Sequence, residues 1–235
     1  MAPRKTKKQA QVSDKQRSLV THFNQKSPVA EQYRTLRTNI QYASVDKEVR
    51  TIMLTSSGPG EGKSTTVANL GIALAQQGNR VLIVDSDLRK PTNHFTFQLP
   101  NQIGITNVLT KQTTFEASVY DTSIPNLFVL PSGPLPPNPS ELLGSKSMKD
   151  LINLMSKMYD YVLFDAPPVN AVTDPQILSK LCDGVILVVR SGKTEEEAGK
   201  KAIESLRKVD AHILGGVLND RNTKGNHYYY YYAEK

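Results

Sequence analysis

An α/β fold, with one doubly wound, mostly parallel sheet and helices on both faces, is what this 235-residue chain predicts from three observations. Short apolar runs alternate with segments of helical spacing along most of its length. Two of the runs, Val81-Leu82-Ile83-Val84 and Val185-Ile186-Leu187-Val188-Val189, are continuously aliphatic, as strands buried on both faces are. Over residues 51–75 an apolar run passes through a glycine-rich turn directly into a helical segment. A sheet of this kind receives its ligands beyond the carboxyl ends of its strands. The residues that follow each apolar run therefore carry the functional information.

Composition sets the bounds. The length suits one α/β domain, and 38% hydrophobic residues are enough for one substantial core. The apolar runs have strand length and fall far short of a membrane span. The first residues lack the pattern of a secretory leader. A single cysteine, Cys182, leaves no internal disulfide framework and reads as a small buried hydrophobe. The four histidines show no metal-ligand spacing. A cytoplasmic protein is expected. The net charge of +7 is uneven, with Arg4, Lys5, Lys7, Lys8, Lys15 and Arg17 set against Asp14 near the start. Without apolar periodicity, residues 1–26 read as a disordered basic arm. That arm is either simply solvated or drawn to an acidic partner or an anionic membrane surface, the latter at about 1 kcal/mol per basic residue. No aromatic residues interleave the charges, so nucleic acid is not expected.

In chain order, Ser27-Pro28 opens a helix whose apolar positions Val29, Tyr33, Leu36, Ile40 and Ala43 form one stripe. Glu31, Arg34 and Arg37 are expected on its outer side, either solvated, with Glu31 and Arg34 paired, or at an oligomer contact. Strands are predicted near 50–55, 80–85, 127–130, 160–165, 184–189 and 212–218. Helices are predicted near 63–77, 102–110, 141–158, 173–181 and 194–209. Gly78-Asn79 closes the helix after the glycine-rich turn. The main domain is placed at 27–225 and a flexible tyrosine-rich tail at 226–235.

The glycine-rich turn is Ser57-Gly58-Pro59-Gly60-Glu61-Gly62-Lys63-Ser64-Thr65. Between a strand and a helix, this is the context of a phosphate-binding loop, although Ser57 stands where the usual pattern has glycine. Its glycines let backbone N–H groups converge, and the helix start favours an anion. The cofactor-binding residues are Gly58, Pro59, Gly60, Glu61, Gly62, Lys63, Ser64 and Thr65. Lys63 can reach the β- and γ-phosphates of ATP, and the Ser64 hydroxyl can bind Mg²⁺. Asp85 and Asp87 end the second strand, and Asp165 ends Tyr161-Val162-Leu163-Phe164. Hence Lys63, Asp85, Asp87 and Asp165 are the candidate catalytic residues, with Ser64, Asp85 and Asp165 as candidate Mg²⁺ ligands. Asp87 could also cap a helix. Spacing alone does not divide base and metal roles between Asp85 and Asp87.

Together the S-x-P-G-E-G-K-S-T loop, the D-x-D-x-R-x-P stretch at 85–91 and the F-D-x-P-P stretch at 164–168 resemble the bacterial tyrosine kinases. That family belongs to the deviant P-loop class of the cell-division and partition ATPases. Two further stretches match it: residues 132–143, and Glu31-Gln32-Tyr33-Arg34-Thr35-Leu36-Arg37, the family's E-x-x-R-x-x-R helix. The resemblance runs over about residues 28–232 and implies a P-loop, Rossmann-like three-layer fold. It implies transfer of phosphate from ATP to tyrosines of protein substrates and of the chain's own tail, in control of capsule or exopolysaccharide synthesis. Five consecutive tyrosines, Tyr228, Tyr229, Tyr230, Tyr231 and Tyr232, are the expected acceptors.

In the family, the helix carrying Glu31, Arg34 and Arg37 assembles a ring of subunits, an octamer among the expected sizes, in which one tail enters its neighbour's site. Free-standing members depend on a separate membrane protein with a cytosolic tail, which implies recruitment to the inner face of the membrane. The partition ATPases carry a lysine where this chain has Gly58. An ATPase spatial switch without kinase activity is the competing expectation, and it needs no acceptor tail.

Overall fold

The computed structural model describes residues 19–43 and 48–221. The basic residues 1–18 and the tail tyrosines 228–232 lie outside the described residues. Of the arm expected over 1–26, only residues 19–26 are described, and part of them is helical. Residues Val20–Phe23 form a short helix, α1. Beside it Leu19 is buried, and the Thr21 N–H donates to Asn69 Oδ1 at 2.9 Å.

Helix α2, Pro28–Tyr42, begins where Ser27-Pro28 predicts: the Ser27 hydroxyl accepts from the Ala30 N–H, and proline occupies the first turn. The buried stripe is shifted, however. Ala30, Tyr33 and Ile40 face inward, whereas Val29 and Ala43 are exposed. Then follow β1 Thr51–Ser56, α3 Lys63–Ala75, β2 Val81–Asp85, α4 Asn93–Phe97 and α5 Ile105–Leu109. After a short 3₁₀ turn come β3 Tyr120–Asp121, β4 Leu127–Leu130, α6 Pro139–Leu143 and α7 Lys146–Met158. The chain continues through β5 Tyr161–Asp165, α8 Asp174–Ser179, β6 Gly184–Arg190, α9 Glu196–Arg207 and β7 Ile213–Asn219.

Two expected helices are corrected. The helix expected over 141–158 is two helices, because Gly144 ends one and the Ser145 hydroxyl caps the next by accepting from Met148 N–H at 3.1 Å. The helix expected over 102–110 starts only at Ile105, where the Ile105 and Thr106 N–H groups donate to the Pro131 and Ser132 carbonyls. Helix α4 and the two-residue strand β3 carry no periodicity long enough to read.

Among the described residues, seven strands lie in the order β3-β4-β2-β5-β1-β6-β7, all parallel except β3, which runs antiparallel to β4 at one edge. Alternate residues feed two cores, which is why the runs are apolar throughout. Ile52, Leu54 and Ile83 pack against α2 and α3. Met53, Leu82 and Phe164 pack against α5, α7, α8 and α9. Helix α3 is buried almost all round, and a Cβ on Gly71 would stand 2.8 Å from Ile83 Cδ1, so glycine is what lets it lie so close to β2. β1, β2 and β5 are neighbours, with Leu54 and Asp85 each in register with Asp165. Their carboxyl ends therefore bring the glycine-rich loop and the strand-end acids to one edge.

Candidate active site

The loop Ser57–Gly62 turns from β1 into α3. Gly62 has φ +95°, a left-handed conformation that glycine adopts without a Cβ penalty, and Gly60 also has positive φ. Helix α3 thus opens at Lys63 with free backbone N–H groups, a ready anion site.

Lys63 Nζ donates to Asp87 Oδ2 at 3.1 Å and to Asp165 Oδ1 at 3.2 Å, and stands 3.4 Å from Ser64 Oγ. All three charged side chains are largely buried. Burial works to strip the lysine of its proton, but the charges of Asp165 and Asp87 outweigh that and hold its pKa above the usual value. Asp165 is fixed from behind as well: its backbone carbonyl accepts from the Ser86 N–H and hydroxyl.

Asp85 is fully buried. Its Oδ2 accepts from the Thr92 and Asn93 N–H groups, both at 2.9 Å, so it caps the start of α4, while Oδ1 has no partner among the described residues. Burial first, then the charge of Asp165, push its carboxyl up to about 7, against the Asn93 hydrogen bond and Lys63. Asp87 is nearly buried, and its Oδ1 accepts from the Lys90 N–H at 3.0 Å.

Lys63, Ser64, Asp85, Asp87 and Asp165 are therefore one cluster, as the strand-end reading expects. Among the described residues, no three His, Cys, Asp or Glu side chains are arranged to hold a metal by themselves. The acids fit instead an ion that keeps phosphate oxygens and waters as most of its ligands, as Mg²⁺ does. The unpartnered Asp85 Oδ1 and the anion site at α3 agree with that fit.

Several contributors were not legible in the sequence. Asn93 lies between Asp85 and Asp165 and donates Nδ2 to Asp165 Oδ2 at 3.1 Å. Nothing in its spacing marks it. Glu61 does not face solvent: its carboxylate accepts from the Ser57 N–H (2.8 Å), the Ser57 hydroxyl (2.6 Å) and the Thr194 hydroxyl (2.6 Å). That bond network accounts for a serine at the position where glycine is usual. Arg190 and Asn219 donate to the Gly60 and Glu61 carbonyls, and Arg190 also pairs with Asp220. Arg190 and Asn219 end β6 and β7, so the rule that ligands meet strand ends would have found them.

Arg89, in the stretch after Asp87, turns away from the loop to form a two-pronged pair with buried Asp174, both bonds 2.9 Å, and Ser140 donates to the same carboxylate at 2.6 Å. Glu31 and Arg34 pair on the exposed side of α2 at 2.6 Å. Arg37, expected beside them, instead reaches inward and donates to the Ala73 carbonyl at 2.9 Å.

Residues 49–214 match the AAA domain family. The chain is 49% identical over 220 residues to the tyrosine-protein kinase YwqD of Bacillus subtilis (strain 168), covering 94% of this chain and 93% of that protein. It is 36% identical over 201 residues to the tyrosine-protein kinase CpsD of Streptococcus agalactiae serotype III (strain NEM316), covering 85% and 86%. Its fold is similar to the crystal structure of the chimerical protein CapA2B2, with a TM-score of 0.84, 44% identity and coverage of 86% and 89%.

Proposed function

The chain belongs to the bacterial tyrosine-protein kinases, and we propose that it moves the γ-phosphoryl group of ATP onto tyrosine hydroxyls of protein substrates and of Tyr228–Tyr232 on a neighbouring copy. The observation that carries this reading is one ammonium, Lys63 Nζ, held between Asp87 and Asp165 on the first turn of the helix that follows the glycine-rich loop.

The loop amides and Lys63 hold the phosphates. Mg²⁺, when bound, neutralises charge on them, and Ser64, Asp85 and Asp165 are the side chains that would hold it. The tyrosine oxygen forms a bond to the γ-phosphorus while the bond to the β,γ-bridging oxygen breaks, and ADP leaves. The phenol proton passes to one of the two carboxylates at the end of β2, Asp85 or Asp87, whichever is not engaged with the metal ion. Asp87 orients Lys63. Little covalent chemistry falls to the protein, so positioning and charge stabilisation supply most of the rate.

Glu31 is exposed and Arg34 partly so, and these charges are able to re-pair across a subunit contact, which supports a ring assembled through α2. Arg37 serves that contact by fixing α2 on α3. No helix among the described residues is long and apolar enough to cross a membrane. Recruitment to the inner face of the membrane by a separate protein with a cytosolic tail follows from the family resemblance, as does a role in capsule or exopolysaccharide synthesis.

Intact-mass spectrometry after incubation with Mg-ATP tests the reading. Stepwise phosphate additions are expected for the unaltered chain. None is expected for Lys63→Ala or for a chain with all five tyrosines of 228–232 changed to phenylalanine. ATP turnover without any addition, even with an activator's cytosolic peptide present, would return the reading to an ATPase spatial switch.

A further inference from the structure

The sheet register sets Asp85 and Asp165 side by side on adjacent parallel strands, both fully buried. Two carboxylates so placed repel each other, and Lys63 contacts only one of them. Asn93 joins the pair. Its backbone N–H donates to Asp85 Oδ2 at 2.9 Å and its side-chain Nδ2 donates to Asp165 Oδ2 at 3.1 Å. A carboxylate only accepts, so the amide's orientation is set by its partner: nitrogen toward Asp165, oxygen away. That oxygen is buried and has no partner among the described residues. Leaving a buried acceptor unpaired is costly. Beside two acids, what such an oxygen suits is a donor, and a water on a divalent cation is the donor that the neighbouring carboxylates favour.

We propose that Asn93 is a positioning residue of the phosphoryl transfer. Its Nδ2 holds Asp165 so that the opposite oxygen, Oδ1, meets Lys63, and its own Oδ1 takes a hydrogen bond from the water shell of the nucleotide's metal ion. This rests on the reading of Asp165 as a metal-side acid. Partners that orient a metal's ligands typically contribute 10–100-fold in metal affinity or activity, roughly the range expected here.

The test uses the full chain and a fluorescent ADP analogue, with affinity followed across a Mg²⁺ titration beside the kcat and KM of tyrosine phosphorylation. Asn93→Leu removes donor and acceptor at similar volume. It is expected to bind the analogue in chelator within about twofold of the unaltered chain, to need roughly tenfold more Mg²⁺ for half-maximal tightening, and to lose about tenfold in kcat. Asn93→Ser, smaller and still polar, stands in if the leucine variant does not fold, and the same Mg²⁺ shift is expected of it. Asp165→Asn is the control. An unaltered Mg²⁺ response in the Asn93 variants, with that of Asp165→Asn lost, overturns the role of Asn93 alone. Unaltered responses in both overturn the metal-side reading and this proposal with it.

Discussion

Lys63 Nζ lies 3.2 Å from Oδ1 of Asp165, and the acid's other oxygen is held by Asn93. The lysine proposed to bind the phosphates is therefore anchored to the strand-end acid by a contact that also fixes which oxygen the acid presents. Asp87 takes a second share of the same ammonium. One positive charge thus balances part of a three-acid cluster, and a bound nucleotide would compete for it with its phosphates.

Lys63→Ala removes the charge from both partners. The rate of tyrosine phosphorylation at saturating Mg-ATP is expected to fall by at least about 10²-fold, the size of effect seen when one preorganised charge-stabilising group is lost. Two largely buried carboxylates also lose their cation, so urea unfolding of the nucleotide-free chain is expected to show a loss on the order of 3 kcal/mol. A variant that kept the original rate would remove Lys63 from the mechanism.

Arg89 and Asp174 give a pH prediction. Burial acts to raise the Asp174 carboxyl, but hydrogen bonds from Arg89 and Ser140 outweigh it and hold the folded-state value below 3.8. Above the unfolded-state value, folded and unfolded chains are both ionised and the full stabilisation is present. As pH falls through the folded value, the group protonates and that stabilisation is lost. The urea midpoint of the unaltered chain is expected to drop as pH falls below about 4, and Asp174→Asn is expected to flatten part of that drop. Equal acid slopes in both proteins would contradict the assignment.

The reach of the sequence follows from these same residues. Asp85 and Asp165 were legible because a carboxylate directly after four apolar residues has to be at a strand end. Lys63 was legible because the glycine-rich loop fixes where the helix begins. Asn93 and Thr194 were not, because their roles depend on which strands are neighbours, and no local period carries strand order. Arg37 reaches inward from α2, not outward as its spacing predicts, for a related reason. Its spacing matches an outer face, yet the long side chain reaches the Ala73 carbonyl on a helix that the sequence does not position.

Thr194 braces the phosphate loop from outside it. Its hydroxyl donates to Glu61 at 2.6 Å and accepts from the Arg190 N–H at 2.8 Å. Thr194→Val keeps the shape and removes the donor. One hydrogen bond to a carboxylate, partly compensated by water, is worth about 1 kcal/mol, so KM for ATP is expected to rise roughly fivefold. kcat is expected to change less, and Thr194→Ser to restore the original KM. If serine and valine behave alike, the hydroxyl is not what positions the loop.

Gly62 joins two constraints that a double-mutant cycle can separate. Its φ of +95° disfavours any residue with a Cβ, and a Cβ there would stand 2.0 Å from Asn219 Nδ2. Gly62→Ala is therefore expected to lose more than the roughly 1–2 kcal/mol of left-handed backbone strain alone, with weaker nucleotide binding as the loop shifts. Asn219→Ala by itself loses the bond to the Glu61 carbonyl. Combined, the two substitutions remove the clash and leave the backbone strain, so the double variant is expected to be more stable than the sum of the singles by about 1 kcal/mol. Strict additivity in urea unfolding would show that the loop moves clear of Asn219, and that the end of β7 does not set its path.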